Sequence, residues 1–260
     1  MIGKDMKAVI FAGGLGTRLS EETNIKPKPM VELGERPILW HIMKFFSTYG
    51  VKEFIVLAGY KGEVIKKYFL SYFYLQQDLK ISLKKNEIKI LRNDSEDWII
   101  TILDTGQETM TGGRLLRAKE VIGNERFFLT YGDGLSDVNL NKLLDTHLNL
   151  SSLATVTAVR PKGRFGSLSF SGDYVTKFAE KIEDQKGWIN GGFFVCEPGI
   201  FKYLEDDFTV FERDPLEKLA LEKKLGHYKH NGFWQCMDTL NDKKNLVSLW
   251  VENRAPWKIW

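Results

Sequence analysis

The chain is poor in the residues that staple or line a metal-built fold: 260 positions hold two cysteines, Cys196 and Cys236, and four histidines. A chain of this length buries a core without disulfide help, and neither cysteine has a ligand partner at a zinc spacing, so both read as reduced, buried thiols. His41 and His147 lie on helical patterns, and His227 and His230 in a turn-rich segment. None stands in a nucleophile constellation, and no GxSxG elbow occurs, which excludes a Ser-His-Asp hydrolase. A surplus of one charge is also missing. Lys+Arg 37 against Asp+Glu 34 leaves a net charge of +3, without the basic stripe of a nucleic-acid binder. The aromatic residues of segment 68–74 match helix packing better than base stacking. No run of about 18 apolar residues occurs, and no apolar stretch of roughly 7–15 residues precedes the first glycine cluster. The expectation is a cytoplasmic chain with no membrane and no nucleic-acid partner.

What remains is an alternation of apolar runs. Lys7–Ala12 is β-rich and ends in Gly13-Gly14; segment 38–49 then places Ile38, Ile42, Phe45, Phe46 and Tyr49 on one helical face. Glu53–Ala58 repeats the strand, and Val64, Ile65, Tyr68, Phe69, Tyr72 and Phe73 repeat the helix. Segments 98–103, 127–131 and 153–159 supply further strands, with Leu140–Leu150 as a helix between the last two. Such βα units predict one α/β domain over residues 1–260, a Rossmann-like, doubly wound and mostly parallel sheet whose ligands gather at strand C-termini. Residues 78–97 break the rhythm and read as an inserted hairpin. Segment 167–178 reads as a second antiparallel pair turning at Gly172-Asp173. Residues 214–224 and 240–251 read as closing helices, the latter opening a C-terminal helical segment, 240–260.

Chemistry enters with Ala12-Gly13-Gly14-Leu15-Gly16-Thr17-Arg18 after the first strand. Glycines there let backbone N–H groups approach a bulky anion, although neither a Walker loop nor a dinucleotide fingerprint fits. A tight strand-to-helix turn is the alternative. Arg18 can grip phosphate oxygens bidentately and stabilise charge on a pyrophosphate leaving group. In Lys26-Pro27-Lys28-Pro29-Met30 the prolines stiffen the backbone and present the Lys28 ammonium from a defined position.

AGGLGTRL followed by KPKPMVELGERPIL resembles the signature of the sugar-phosphate nucleotidyltransferases. DTGQETMTGGRLLR, YGDGLSDV, GRFGSL, WINGGFFV, GFWQCMDTL and APWKIW extend the likeness, from Met6 onward, to the branch that couples CTP to glucose 1-phosphate; residues 1–5 form an extension. The resemblance implies magnesium as cofactor, CTP and glucose 1-phosphate as substrates, CDP-glucose and pyrophosphate as products, and Arg18 and Lys28 as catalytic residues. It implies that Ala12, Gly13, Gly14, Gly16, Thr17, Arg18, Thr109, Gly113, Arg114, Tyr131 and Gly132 meet the nucleotide. Lys28, Gly166, Glu180, Lys181, Asn190, Gly191 and Gly192 match the sugar-phosphate side. After Glu180-Lys181 this chain has Ile182 where the family has proline.

Tyr131-Gly132-Asp133-Gly134 closes an apolar strand and puts Asp133 where ligands are expected. Spacing alone leaves Asp133 as either a turn aspartate or a ligand, and Asp238 as either a ligand or the cap of the following helix. The resemblance assigns both to the metal, a pair that suits Mg²⁺, which usually takes one or two carboxylates plus phosphate oxygens. Asp137 is the weaker metal candidate and is read as a cap for the next helix. Apolar faces around residues 68–75, with Trp257 and Trp260, suit self-association, and the resemblance implies a homo-oligomer. UTP or dTTP in place of CTP, a non-catalytic nucleotide-sugar regulator and a metal-dependent glycosyltransferase are the alternatives.

Overall fold

The computed structural model describes residues 2, 6–92, 94–160, 167–171, 174–179 and 187–260. Seven strands hydrogen-bond into one sheet: β1 (Lys7–Ala12), β2 (Glu53–Ala58), β3 (Ile99–Asp104), β4 (Phe127–Tyr131), β5 (Ala154–Val159), β6 (Ile189–Cys196) and β7 (Leu225–His230). Their order across the sheet is β7-β5-β6-β4-β1-β2-β3. β1 runs parallel to β2 and β4, β2 to β3, and β5 to β7. β6 is antiparallel to both its neighbours, β5 and β4.

The central strands are apolar throughout because both of their faces are covered. Ala8, Ile10 and Ala12 of β1 join Phe54, Val56 and Phe128 in one core cluster, while Val9 and Phe11 join Ile55, Leu57, Phe127 and Leu129 in another. Side chains of a strand alternate between faces, so the two clusters lie on opposite sides of the sheet. Helices α1 (Ile38–Thr48), α4 (Leu140–Leu150) and α6 (Leu240–Val251) cover the first face through Ile42, Phe46, Leu143 and Leu246. Helices α3 (Thr111–Arg117) and α5 (Asp214–Leu221) cover the second through Leu115 and Leu219. The doubly wound α/β expectation holds, as do both antiparallel excursions, Leu79–Ser82 with Glu87–Ile90 and Ser167–Ser171 with Tyr174–Ala179. The expected turn at Gly172-Asp173 lies outside the described residues.

Several expectations need correction. The turn-rich reading of His227 and His230 gives way to β7, an edge strand whose alternating exposure hides no apolar run. Asn190, Gly191 and Gly192 sit inside strand β6. The aromatic helix begins as α2 (Gly62–Leu70) and breaks at Ser71, whose hydroxyl donates to Lys67 O at 2.7 Å, before a last turn, Tyr72–Leu75. Asn139, not Asp137, caps α4 by accepting from the Lys142 N–H at 3.0 Å; Asp137 instead pairs with His230 Nε2 at 2.9 Å. Trp257 is fully buried in the core and offers no association surface. Cys236 is half-buried rather than buried, while Cys196 is buried as expected; both are free. Among the described residues no helix is long and apolar enough to cross a membrane.

Candidate active site

Parallel strands β1 and β4 deliver their C-termini side by side, Phe11 opposite Tyr131. Backbone leaving these ends and the end of β3 builds a cavity of about 460 Å³ lined by residues 11–18, Lys28, Pro29, residues 107–111, Arg114 and residues 131–133. Its volume falls in the range of nucleotide-sized sites. The glycine loop takes its shape at Gly16, which is left-handed (φ 65°), a conformation that costs other residues energy but not glycine. Thr23 Oγ1 lies 3.1 Å from both Gly16 O and Leu19 O and holds the short turn Thr17–Leu19 that carries Arg18.

Behind the loop lies Arg114, 5% exposed. Its Nη1 donates to Thr105 Oγ1 at 2.7 Å, Gly106 O at 2.6 Å and Ala58 O at 3.3 Å; its Nη2 donates to Gly13 O at 3.0 Å and Gln107 O at 3.1 Å. The guanidinium ties the glycine loop to the 105–107 turn. A Cβ on Gly13 would fall 2.2 Å from Nη1, and one on Gly59 2.3 Å from the same atom, so both glycines leave room for this side chain. Arg114 therefore borders the cavity, but its hydrogen bonds on these partners hold the cavity wall.

Lys28 opens the turn Lys28–Met30, with Pro27 before it and Pro29 within it, as the proline pattern requires. Its buried Nζ lies 2.9 Å from Asp133 Oδ2 and 2.7 Å from Asp238 Oδ1. Asp238 arrives on a two-stranded ribbon in which Trp234–Cys236 pairs with Gly134–Ser136, closed by Met237 N donating to Asp133 O at 2.8 Å. That ribbon brings together two carboxylates far apart in sequence. Arg18 Nη1 reaches Asp238 Oδ2 at 2.9 Å from a side chain 73% exposed, which leaves it free to exchange partners. Burial alone would lower the Lys28 pKa, yet Asp133 and Asp238 outweigh it and hold it above the ordinary lysine value. For Asp238 burial works upward, and Lys28 and Arg18 outweigh it to hold the carboxyl below the ordinary range. Cys236 Sγ sits 3.5 Å from Asp238 Oδ2, and burial with the neighbouring aspartates pushes its thiol up to about 12, which makes it no nucleophile.

Asp133 and Asp238 are the donor set to test for a metal. Among the described residues no cluster of three or more His, Cys, Asp or Glu forms a protein cage. Two carboxylates converging on one cationic nitrogen suit a hard divalent ion that completes its shell with phosphate and water, so the residues fit Mg²⁺. Asp238 is not the helix cap: Thr239 caps α6 in a reciprocal capping box with Asp242.

Thr109 is buried in the cavity wall. Gly113 does not belong with it. Its N–H donates to Thr209 O at 3.2 Å, and an added Cβ would fall 2.5 Å from Asp207 Cα, so this glycine packs against the 207–209 loop and turns away from the cavity. On the other side, Asn190 Nδ2 donates to Tyr131 Oη at 3.3 Å and its Oδ1 accepts from Gly192 N at 2.8 Å. Gly191 makes room for Val159, and its carbonyl accepts from Trp234 Nε1 at 2.7 Å. Gly166, Glu180 and Lys181 lie outside the described residues. Sequence reasoning missed Glu212, which accepts from both Tyr131 Oη and Thr111 Oγ1 at 2.6 Å. It sits in TVFERDP, where no motif marks it.

The nucleotidyl transferase family model matches residues 7–242. Glucose-1-phosphate cytidylyltransferase of Salmonella typhi is 48% identical over 256 residues, covering 98% of this chain and 100% of that protein. D-glycero-alpha-D-manno-heptose 1-phosphate guanylyltransferase of Campylobacter jejuni is 32% identical over 85% of this chain and 88% of its own length. The crystal structure of HddC from Yersinia pseudotuberculosis shares the fold with a TM-score of 0.69 at 22% identity, covering 94% of this chain and 99% of that one. A glycine loop, a proline-framed lysine and paired aspartates at one sheet edge therefore sit in a chain that belongs to the nucleotidyl transferase family.

Proposed function

We propose that this enzyme transfers CMP from CTP to α-D-glucose 1-phosphate, forming CDP-glucose and releasing pyrophosphate. One observation carries the reading: the Lys28 ammonium stands between Asp133 and Asp238 at the mouth of the glycine loop, with Arg18 beside them. Such a cluster suits the meeting of two anions that otherwise repel. Similarity to the cytidylyltransferase, deeper than that to the guanylyltransferase, favours cytosine as the base.

A phosphate oxygen of the sugar phosphate attacks the α-phosphorus of CTP in line. The new P–O bond forms as the bond to the β-phosphate oxygen breaks, and pyrophosphate leaves. The attacking oxygen is already anionic near neutral pH, so no general base is required and the protein contributes position and charge. N–H groups of residues 13–16 receive the triphosphate, Arg18 neutralises the departing pyrophosphate, and Lys28 exchanges its aspartates for phosphate oxygens as the substrates enter. Asp133 and Asp238 would hold magnesium, which when bound would supply positive charge to the phosphates. Thr109 and Arg114 border the base and ribose. Asn190 and Gly192 face the sugar, with Glu180 for its hydroxyls and Lys181 for its phosphate. The protein acts in the cytoplasm as a homo-oligomer, a reading supported by exposed Leu70, Phe73 and Leu75, of which Leu70 is 78% exposed.

Incubation with each NTP and glucose 1-phosphate, followed by pyrophosphate release, tests this. CTP is expected to support turnover at least tenfold better than UTP, dTTP, GTP or ATP. Preference for another base would overturn the cytidylyl assignment, and silence with every NTP would overturn the enzymatic one.

A further inference from the structure

A chain of hydrogen bonds runs beside the cavity from the start of α3 to the start of β6. The Phe211 N–H donates to Thr111 Oγ1 at 2.9 Å, and Thr111 Oγ1 donates to Glu212 Oε2 at 2.6 Å. From the other side Asn190 Nδ2 donates to Tyr131 Oη at 3.3 Å, and Tyr131 donates to Glu212 Oε1 at 2.6 Å. Both hydroxyls spend their single hydrogen on Glu212. Each hydroxyl oxygen then accepts from the group behind it, and the whole chain runs inward from both ends. The Asn190 amide is fixed in turn, because its Oδ1 takes the Gly192 N–H at 2.8 Å and its Nδ2 must face Tyr131.

Glu212 ties Thr111 at the start of α3 to Tyr131 at the end of β4. Thr111 and Tyr131 both line the cavity, and Tyr131 stacks on Phe11 with ring centroids 5.7 Å apart. Burial, followed by the Glu212 carboxylate, pushes the Tyr131 phenol up, which keeps it a donor at every physiological pH. We propose that Glu212 is the positioning residue of the reaction: one oxygen sets the nucleotide-side wall at Thr111, and the other, through Tyr131, orients Asn190 toward the sugar phosphate. This rests on the functional reading above and deepens it by naming what aligns the two substrates.

Steady-state kinetics of Glu212→Gln, Tyr131→Phe and the double variant, with pyrophosphate release as readout, test the role. Glutamine offers one acceptor and one donor where the carboxylate offers two acceptors, so one hydroxyl loses its partner. Tyr131→Phe is expected to raise the KM for glucose 1-phosphate about tenfold, and Glu212→Gln to raise the KM for CTP or for glucose 1-phosphate by about as much, each with a smaller fall in kcat, as befits a lost positioning contact. The double variant is expected to have a KM for glucose 1-phosphate no higher than the poorer single, since loss of the phenol already cuts that arm. Multiplying effects on the KM for glucose 1-phosphate, or unchanged KM values for both substrates in Glu212→Gln, overturn the proposal. Should Glu212→Gln not fold, Thr111→Ala and Tyr131→Phe cut the two arms separately; the first is expected to raise the KM for CTP and the second that for glucose 1-phosphate, and any other pattern overturns the proposal. A wild-type chain without turnover overturns the functional reading itself, whereas an active wild type with an indifferent Glu212→Gln overturns only the positioning role.

Discussion

Arg114 is the residue on which the cavity wall depends most, because one planar fork reaches five acceptors on two loops and the end of β2. Lysine keeps the charge but concentrates its donors on a single nitrogen, which cannot span Gly13 O and Gly106 O together. Arg114→Lys is therefore expected to raise the KM for CTP about tenfold in a steady-state assay, with a smaller effect on glucose 1-phosphate; equal effects on both substrates would contradict this role. The need for glycine in the first loop was legible in the sequence, which reads it as a phosphate cradle. Their second reason, room for a guanidinium 101 positions away, was not, since nothing local ties Gly13 to Arg114. Arg18, Lys28 and Asp133 were legible because glycine, proline and strand-end patterns mark them. Spacing could not separate Asp238 from a helix cap; the family resemblance chose the metal, and Thr239 is the cap, while Glu212 follows from no pattern at all.

At the scale of elements, the strands and helices that read correctly are those with an uninterrupted apolar run or a clear 3.6-residue face: β1, β2, β4, α1 and α4. β6 was hidden by Asn190, Gly191 and Gly192 at its start, and β7 by the polar alternation that an edge strand tolerates. α6 shows how an element boundary serves the site. Thr239 Oγ1 accepts from the Asp242 N–H at 3.2 Å, and Asp242 Oδ2 accepts from the Thr239 and Asp238 N–H groups at 2.9 and 3.1 Å. The cap thus anchors the backbone of Asp238 while leaving its carboxylate to Lys28. Loss of such a cap costs about 1 kcal/mol, so Thr239→Ala is expected to lower the urea midpoint by a corresponding amount; an unchanged midpoint would contradict the cap.

At the scale of the whole molecule, stability depends on a histidine that no catalytic step uses. His41 is fully buried, bonded to Leu33 O at 2.9 Å and edge-on to Trp250. Burial first, then Arg36 and Lys258, lower its pKa to about 4 from the ordinary 6.5. Between those two values the unfolded chain binds the proton and the folded chain does not, so this group destabilises the fold progressively as pH falls from 6.5 to 4, by about 3 kcal/mol at the lower end. Urea midpoints at pH 7 and pH 5 are expected to differ more for the wild type than for His41→Gln, and equal differences would contradict the assignment. Folding in turn carries the ribbon that sets Asp238 beside Asp133, and the account stands on that meeting. Pyrophosphate release by Asp238→Asn at saturating Mg²⁺, CTP and glucose 1-phosphate tests it most directly. A fall of about a hundredfold or more, with the far-ultraviolet circular dichroism of the wild type retained, is predicted; wild-type turnover would contradict it.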